Sequence, residues 1–201
     1  MLKLGIYGGT FNPIHIGHLI VAQSVLEYLN LDKIIFIPVG NPPHKDSRNI
    51  VNGVTRINMI NKAIDGNSFF EVSDIEVLRE GKTYTYDTLT ELREKFKQAE
   101  INFIIGYDTL IDIDTWHRVH ETLNLARFIV VNRDGDKRSI EKTIELTKNR
   151  YGGEYVLVNI PSIGISSSDI RRRVREGKSI KYMVTNEVNQ YITDNKLYRG
   201  D

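Results

Sequence analysis

Apolar positions along the chain alternate between two periods. Leu4-Gly5-Ile6-Tyr7, Ile34-Ile35-Phe36-Ile37, Phe69-Phe70-Glu71-Val72, Asn102-Phe103-Ile104-Ile105, Arg127-Phe128-Ile129-Val130-Val131 and Tyr155-Val156-Leu157-Val158 are short runs that read as strands. The continuous ones suit strands buried on both faces. Helical spacing fills the intervals. Leu19, Ala22, Leu26 and Leu29 share a face, as do Leu89, Leu92 and Phe96. Further helices are predicted over Val54–Ala63, Thr88–Phe96, Ser139–Asn149 and Ser167–Glu176, the last stopped by Gly177. Val184, Val188, Tyr191 and Ile192 place an apolar stripe on a final helix.

Regular alternation of this kind predicts an α/β fold: a doubly wound, mostly parallel sheet with helices on both faces. The chain reads as a single domain over residues 1–201, with a small helical C-terminal part from about residue 166. Ligands in such sheets bind beyond the carboxyl ends of the strands. The unusual polar segments all follow strands: Gly8–His18, Gly40–Lys45, Gly106–Trp116, Arg133 and Ser166–Arg171. One crevice can therefore contain them all.

Composition narrows the chemistry. Apolar residues make up 40% and charged residues 26% of 201, ordinary values for a globular protein. A net charge of +1 gives no global field to recruit nucleic acid or an anionic membrane. The absence of cysteine excludes disulfides, thiolate nucleophiles and thiolate zinc sites. No signal-peptide pattern and no membrane-length apolar run is present, so a cytoplasmic location is the default expectation. The oligomeric state stays open, a homo-oligomer included.

Gly8-Gly9-Thr10-Phe11-Asn12-Pro13-Ile14-His15-Ile16-Gly17-His18 lies where a strand ends and a helix begins. Backbone N–H groups and the helix dipole favour phosphate at such a junction. The spacing of His15 and His18 is three rather than the four usual for a metal pair on a helix, and no Glu or Cys stands beside them. Phosphate contact suits them better than metal binding; plain capping is the alternative. Arg171, Arg172, Arg173 and Arg175 point in different directions on a helix and lack aromatic partners, which argues against a nucleic-acid patch.

These segments resemble the signature of the nucleotidylyltransferase superfamily, whose hallmark is His-x-Gly-His. Ile165-Ser166-Ser167-Ser168-Asp169-Ile170-Arg171 is similar to its second motif, with Ser168 in place of Thr. Asn12 stands where the superfamily usually has Asp, a mild change because either caps a turn. Pro42-Pro43-His44-Lys45, Thr83–Thr88, Gly106-Tyr107-Asp108, Trp116 and the ending Leu197-Tyr198 resemble the bacterial nicotinate-nucleotide adenylyltransferase family. The resemblance spans nearly the whole chain. It implies a Rossmann-like fold and AMP transfer from ATP to nicotinate mononucleotide, with Mg2+.

Under that resemblance His15, His18 and Arg171 are the candidate catalytic residues. Gly8, Gly9, Thr10, Phe11, Gly106, Asp108, Ile165, Ser166, Ser167 and Ser168 join them around ATP. Asp108 reaches a ribose hydroxyl or the metal shell, with helix capping as its alternative. Thr10, Asn41, Lys45, Thr85, Trp116, His117 and Arg133 are candidates for the mononucleotide. Trp116 stacks on the pyridine ring, and Thr85 with the backbone near Trp116 and His117 receives the carboxylate. No metal ligand is assigned to a side chain. His44, His117 and His120 form no acid–base constellation. Rival readings are a nicotinamide mononucleotide or phosphopantetheine adenylyltransferase, a nucleotide-binding sensor without turnover, and a nucleic-acid binder.

Overall fold

The computed structural model describes residues 1–41, 50–133 and 135–199. Six strands form one sheet: β1 (Lys3–Gly9), β2 (Lys33–Pro38), β3 (Phe70–Val72), β4 (Glu100–Gly106), β5 (Arg127–Asn132) and β6 (Glu154–Asn159). Their order is β3-β2-β1-β4-β5-β6 and every adjacent pair is parallel. The sheet is thus wholly rather than mostly parallel. Crossovers are α1 (Ile16–Leu29), α2 (Gly53–Ile64), α3 (Thr85–Lys95), the short α4 (Tyr107–Ile111) and α5 (Val119–Leu123), and α6 (Lys137–Tyr151). The C-terminal part holds α7 (Ser167–Arg175) and α8 (Asn186–Asp194).

Alternate residues of each strand serve opposite cores, as pleating requires. Ile34 and Phe36 of β2 join Tyr7, Ile104, Ile129 and Val131 in one cluster, closed by Val21, Ala22, Val25, Met59, Ile60, Ile170, Val188 and Ile192 from the helices. Ile35 and Ile37 join Leu4, Ile6, Phe103, Ile105, Phe128 and Val130 in the other, closed by Leu89, Leu92, Leu110, Leu123 and Ile140. On α1 the buried stripe is Val21, Ala22, Val25 and Leu26, with Leu19 and Leu29 only partly buried. That helix is apolar nearly all round, so the stripe is chosen by docking rather than by spacing.

Two features differ from the predicted elements. Helices α4 and α5 are too short to show a helical period. Helix α3 begins at Thr85, three residues before the predicted start, with Tyr84 as N-cap and no side-chain cap bond. Nothing in the local chemistry announces that start. It matters because it makes Thr85 the first residue of the helix.

Chain reversal of the strand order falls between β1 and β4, the topological switch point of this sheet. Tyr7 of β1 is in register with Phe36 on one side and Ile104 on the other. Beyond β2 the backbone passes very close to two other segments. A Cβ built on Gly40 would lie 2.0 Å from the Glu76 carbonyl oxygen and 2.9 Å from Thr83 Cγ2. Gly40→Ala is therefore expected to destabilise the protein by about 2 kcal/mol or more through overpacking against backbone. Urea unfolding midpoints of the two proteins measure this, and a variant as stable as the parent contradicts the close approach.

Candidate active site

A cleft of about 330 Å³ opens at the switch point. Its walls are the carboxyl ends of β1, β4 and β5 with the segments that follow, including Gly8, Gly9, Thr10, Phe11, His18, Gly106, Asp108 and Arg133. Thr85, Trp116 and His117 line the other end. The cleft thus gathers eleven of the residues singled out in the sequence.

The turn after β1 is shaped by Phe11, whose φ of +46° lies in the left-handed region. Its buried ring meets Tyr7 (centroids 5.5 Å apart), His18 (5.0 Å) and Phe36 (5.8 Å) edge-on or steeply inclined. Gly9 permits this arrangement, because a Cβ there would come within 2.9 Å of the Phe11 ring. The Asn12–Pro13 peptide that follows is cis. His15 caps α1 in extended conformation, and its ring stacks on that of His18 with centroids 3.7 Å apart.

His18 Nδ1 accepts the backbone N–H of His15 at 3.2 Å. An imidazole nitrogen that accepts carries no proton, so the proton of neutral His18 resides on Nε2. Burial pulls the His15 pKa down to about 4, helped by the positive charge of Arg133. Burial depresses His18 as well, reinforced by His15 and Arg133. Both rings are neutral near pH 7, and His18 offers an N–H donor at the cleft wall. Burial also pushes the Tyr7 hydroxyl up to about 12, opposed by Arg133 and assisted by Asp108.

Seven predicted residues, His15, Asn41, Ile165, Ser166, Ser167, Ser168 and Arg171, lie beside the cleft rather than on its wall. His15 is 4% exposed, behind His18. Ser166 is the N-cap of α7, its hydroxyl accepting Asp169 N–H at 3.1 Å. Ser167 donates its hydroxyl to the Pro13 carbonyl at 2.9 Å. Arg171 donates from Nη1 to the Asn12 carbonyl at 2.8 Å and from Nη2 to Ser168 Oγ at 3.2 Å. Helix α7 is thereby docked against the turn that carries the histidines. Ile165 is half-buried at the edge of the first core. Asn41 is exposed, and its carbonyl accepts Thr83 N–H at 3.1 Å. Lys45 and His44 lie outside the described residues.

Trp116 is half-buried although Asp114, Thr115, His117 and Arg118 around it are exposed. Its ring packs edge-on against Phe103 and Phe128, with centroids 6.2 and 6.1 Å away, while it lines the cleft. His117 lies against Tyr84 at 4.6 Å. Asp108 is in the first turn of α4, and Gly106 leaves room for its carboxylate, since a Cβ there would meet Oδ1 at 2.3 Å. Among the described residues no cluster of three or more His, Cys, Asp or Glu is arranged to hold a metal ion. No described helix is long and apolar enough to cross a membrane.

Three residues were missed in the sequence. Tyr7 ends an apolar strand and gives no signal beyond that. Glu76 lines the cleft, accepting Gly40 N–H at 3.4 Å and Thr88 Oγ1–H at 2.8 Å, and burial raises its pKa. No spacing rule marks it. Arg56 does leave a trace: it interrupts the apolar face of α2 formed by Met59, Ile60 and Ile64.

A cleft at the phosphate-binding end of a doubly wound sheet, with the neutral His18 imidazole as a donor on its wall, defines the class as a nucleotide-handling α/β protein. The chain belongs to the cytidylyltransferase-like family, whose model matches residues 6–173. A relative from Desulfitobacterium hafniense (strain Y51), described as a probable nicotinate-nucleotide adenylyltransferase, is 43% identical over 98% of this chain and 96% of its own. One with the same description from Thermoanaerobacter sp. (strain X514) is 42% identical over 100% of this chain and 96% of its own. Among solved structures, the Plasmodium falciparum nicotinic acid mononucleotide adenylyltransferase complexed with NaAD superposes with a TM-score of 0.82. It is 24% identical and covers 98% of both chains, a likeness of fold.

The depressed histidines have a consequence for stability. Between the unfolded pKa of about 6.5 and the folded value, the unfolded chain binds a proton that the folded chain does not. Stability contributed by a neutral His15 is whole above pH 6.5 and is lost as pH falls toward 4. His15 alone is expected to cost about 2 kcal/mol between pH 7 and pH 5. Urea unfolding at both pH values should show a drop smaller by that amount in His15→Asn. Parallel losses in the two proteins would contradict the assignment.

Proposed function

We infer that this protein transfers the adenylyl group of ATP to nicotinate mononucleotide, releasing pyrophosphate and forming nicotinate adenine dinucleotide, a step of NAD biosynthesis. The observation that carries the reading is the docking of Ser167 and Arg171 onto the Asn12–Pro13 carbonyls. It joins the two superfamily motifs, far apart in the chain, at the rim of one cleft. Relatives about two-fifths identical over almost the full length support the same substrate pair.

A phosphate oxygen of the mononucleotide attacks the α-phosphorus of ATP, and the bond from that phosphorus to the pyrophosphate oxygen breaks. The nucleophile is already ionised, so the protein needs no covalent intermediate; positioning and charge stabilisation suffice. His18 donates through Nε2–H to oxygens on which charge develops, and His15 holds its ring by stacking. The free N–H groups of α7 with Ser166, Ser167, Ser168 and Arg171 take the β- and γ-phosphates. Gly8, Gly9, Thr10, Phe11, Gly106, Asp108 and Ile165 surround the nucleotide. Trp116 receives the pyridine ring, Thr85 and His117 its carboxylate, and Asn41 and Arg133 the mononucleotide phosphate.

The residues present fit Mg2+ carried by the triphosphate rather than a site built from protein ligands: the carboxylates among the described residues lining the cleft are Asp108 and Glu76, and Glu76 is engaged by Gly40 and Thr88. Such an ion supplies charge neutralisation on the phosphates. Both substrates are small molecules, and a cytoplasmic location belongs to the same proposal.

Pyrophosphate release should be measured with ATP and, in parallel, nicotinate mononucleotide, nicotinamide mononucleotide and phosphopantetheine. Turnover is expected with the first in preference to the others; no release with either pyridine mononucleotide rejects the reading. His18→Ala is expected to lower kcat about a hundredfold or more while ATP affinity changes little. Unchanged turnover in that variant would remove His18 from the chemistry.

A further inference from the structure

Arg56 is 2% exposed and heads the fully buried side chains of the described residues by volume. It stands on α2, behind the turn after β1, and is not on the cleft wall. Its bonds go to backbone carbonyls: Nη1 donates to Thr10 O at 3.0 Å, and Nε to Val51 O at 3.1 Å. Among the described residues no carboxylate lies within ion-pair distance of it. Desolvating a guanidinium is expensive, and neutral carbonyls repay only part of that. Apolar packing on α2 would be satisfied more cheaply by Met or Leu. A buried cation at this place therefore calls for a reason other than stability.

The Thr10–Phe11 peptide supplies one. It is trans, so its carbonyl and its N–H point in opposite directions. The carbonyl is turned to Arg56, behind the cleft. In a trans peptide the Phe11 N–H points opposite to that carbonyl, away from Arg56, and Thr10 and Phe11 both line the cleft. A charged donor on the carbonyl polarises the peptide and makes its N–H a stronger donor. The same bond resists relaxation of the left-handed Phe11 backbone.

We propose that Arg56 is a positioning residue for adenylyl transfer: by holding the Thr10 carbonyl it fixes and polarises the Thr10–Phe11 peptide, presenting the Phe11 N–H to the phosphate on which charge develops. This rests on the adenylyl-transfer reading above. The group that acts on substrate is the amide; Arg56 acts through it. Val51 is tied into the same arrangement, its carbonyl by Arg56 and its N–H by Asn12 Oδ1 at 3.3 Å. Arg56 thus sets the turn against the end of the segment that follows β2.

Arg56→Lys and Arg56→Met test the proposal in the full-length protein. Lysine keeps the charge, but its single ammonium lacks the fork that reaches both carbonyls. The expected loss of kcat is about tenfold for lysine and about a hundredfold for methionine, below or at the effect of deleting a preorganised donor outright. KM for ATP should move less than about threefold, because polarisation matters most for charge present in the transition state. The 15N resonance of the Phe11 amide in the substrate-free protein should shift upfield in Arg56→Lys, a change that a role in packing alone does not produce. A kcat within about twofold of the parent in Arg56→Lys, or an unmoved Phe11 resonance in that variant, overturns the proposal. If Arg56→Met does not fold, the lysine variant decides alone. Absence of pyrophosphate release from the unsubstituted protein rejects adenylyl transfer itself, whereas the Phe11 resonance still reports whether Arg56 polarises the peptide.

Discussion

The turn from Thr10 to His15 has almost no regular structure of its own, and the site depends on what holds its carbonyls. Arg56 takes the Thr10 oxygen, Arg171 that of Asn12, and Ser167 that of Pro13. The Asn12 side chain works in the same direction, accepting Val51 N–H and the Tyr198 hydroxyl, the latter at 2.8 Å. Donors from α2, α7 and the C-terminal segment therefore converge on a few consecutive residues. With these carbonyls held from outside, the Phe11 N–H, opposite the Thr10 carbonyl in a trans peptide, points away from Arg56. The turn is thus positioned by side chains from three other parts of the chain.

Electrostatics at the cleft follow from the same construction. Arg133 and His18 line the cleft with His15 stacked behind, and both imidazoles respond to burial and to the guanidinium by staying neutral. Neutral imidazole is a sufficient donor, and its tautomer is dictated by a single backbone bond to Nδ1. The positive charge that remains belongs to arginines, which do not lose it within the physiological range. A site that awaits polyanions can thus hold fixed charge and a titratable donor side by side.

The C-terminal part is joined to the rest through the site rather than beside it. The α1 N-terminus is held by Ile16 N–H to the Met183 carbonyl at 2.9 Å, α8 reaches α2 through Asn58 and Tyr191 at 3.2 Å, and Tyr198 closes on Asn12. Ile170, Val188 and Ile192 complete the core cluster that also contains Phe11. Loss of this part would expose that cluster and release the turn at once.

Strand positions, the doubly wound order of elements and the two motifs were all legible in the chain. Each rests on local chemistry: period-two runs, helical stripes, and Gly-Gly-Thr before a histidine pair. Less legible were features with no local cause. The start of α3 at Thr85 has no capping side chain to mark it, and Trp116 owes its half-buried place to Phe103 and Phe128 from other strands. Glu76 reaches the cleft only because the backbone beyond β2 passes against it at Gly40. The placement of Ser166–Arg171 beside the cleft, against the turn, was equally undecidable from spacing. Periodicity reports which face of an element seeks apolar company; it carries no information about which distant carbonyl a buried arginine will find. That is decided when the elements pack, because a desolvated guanidinium takes the acceptors that tertiary contact brings within reach.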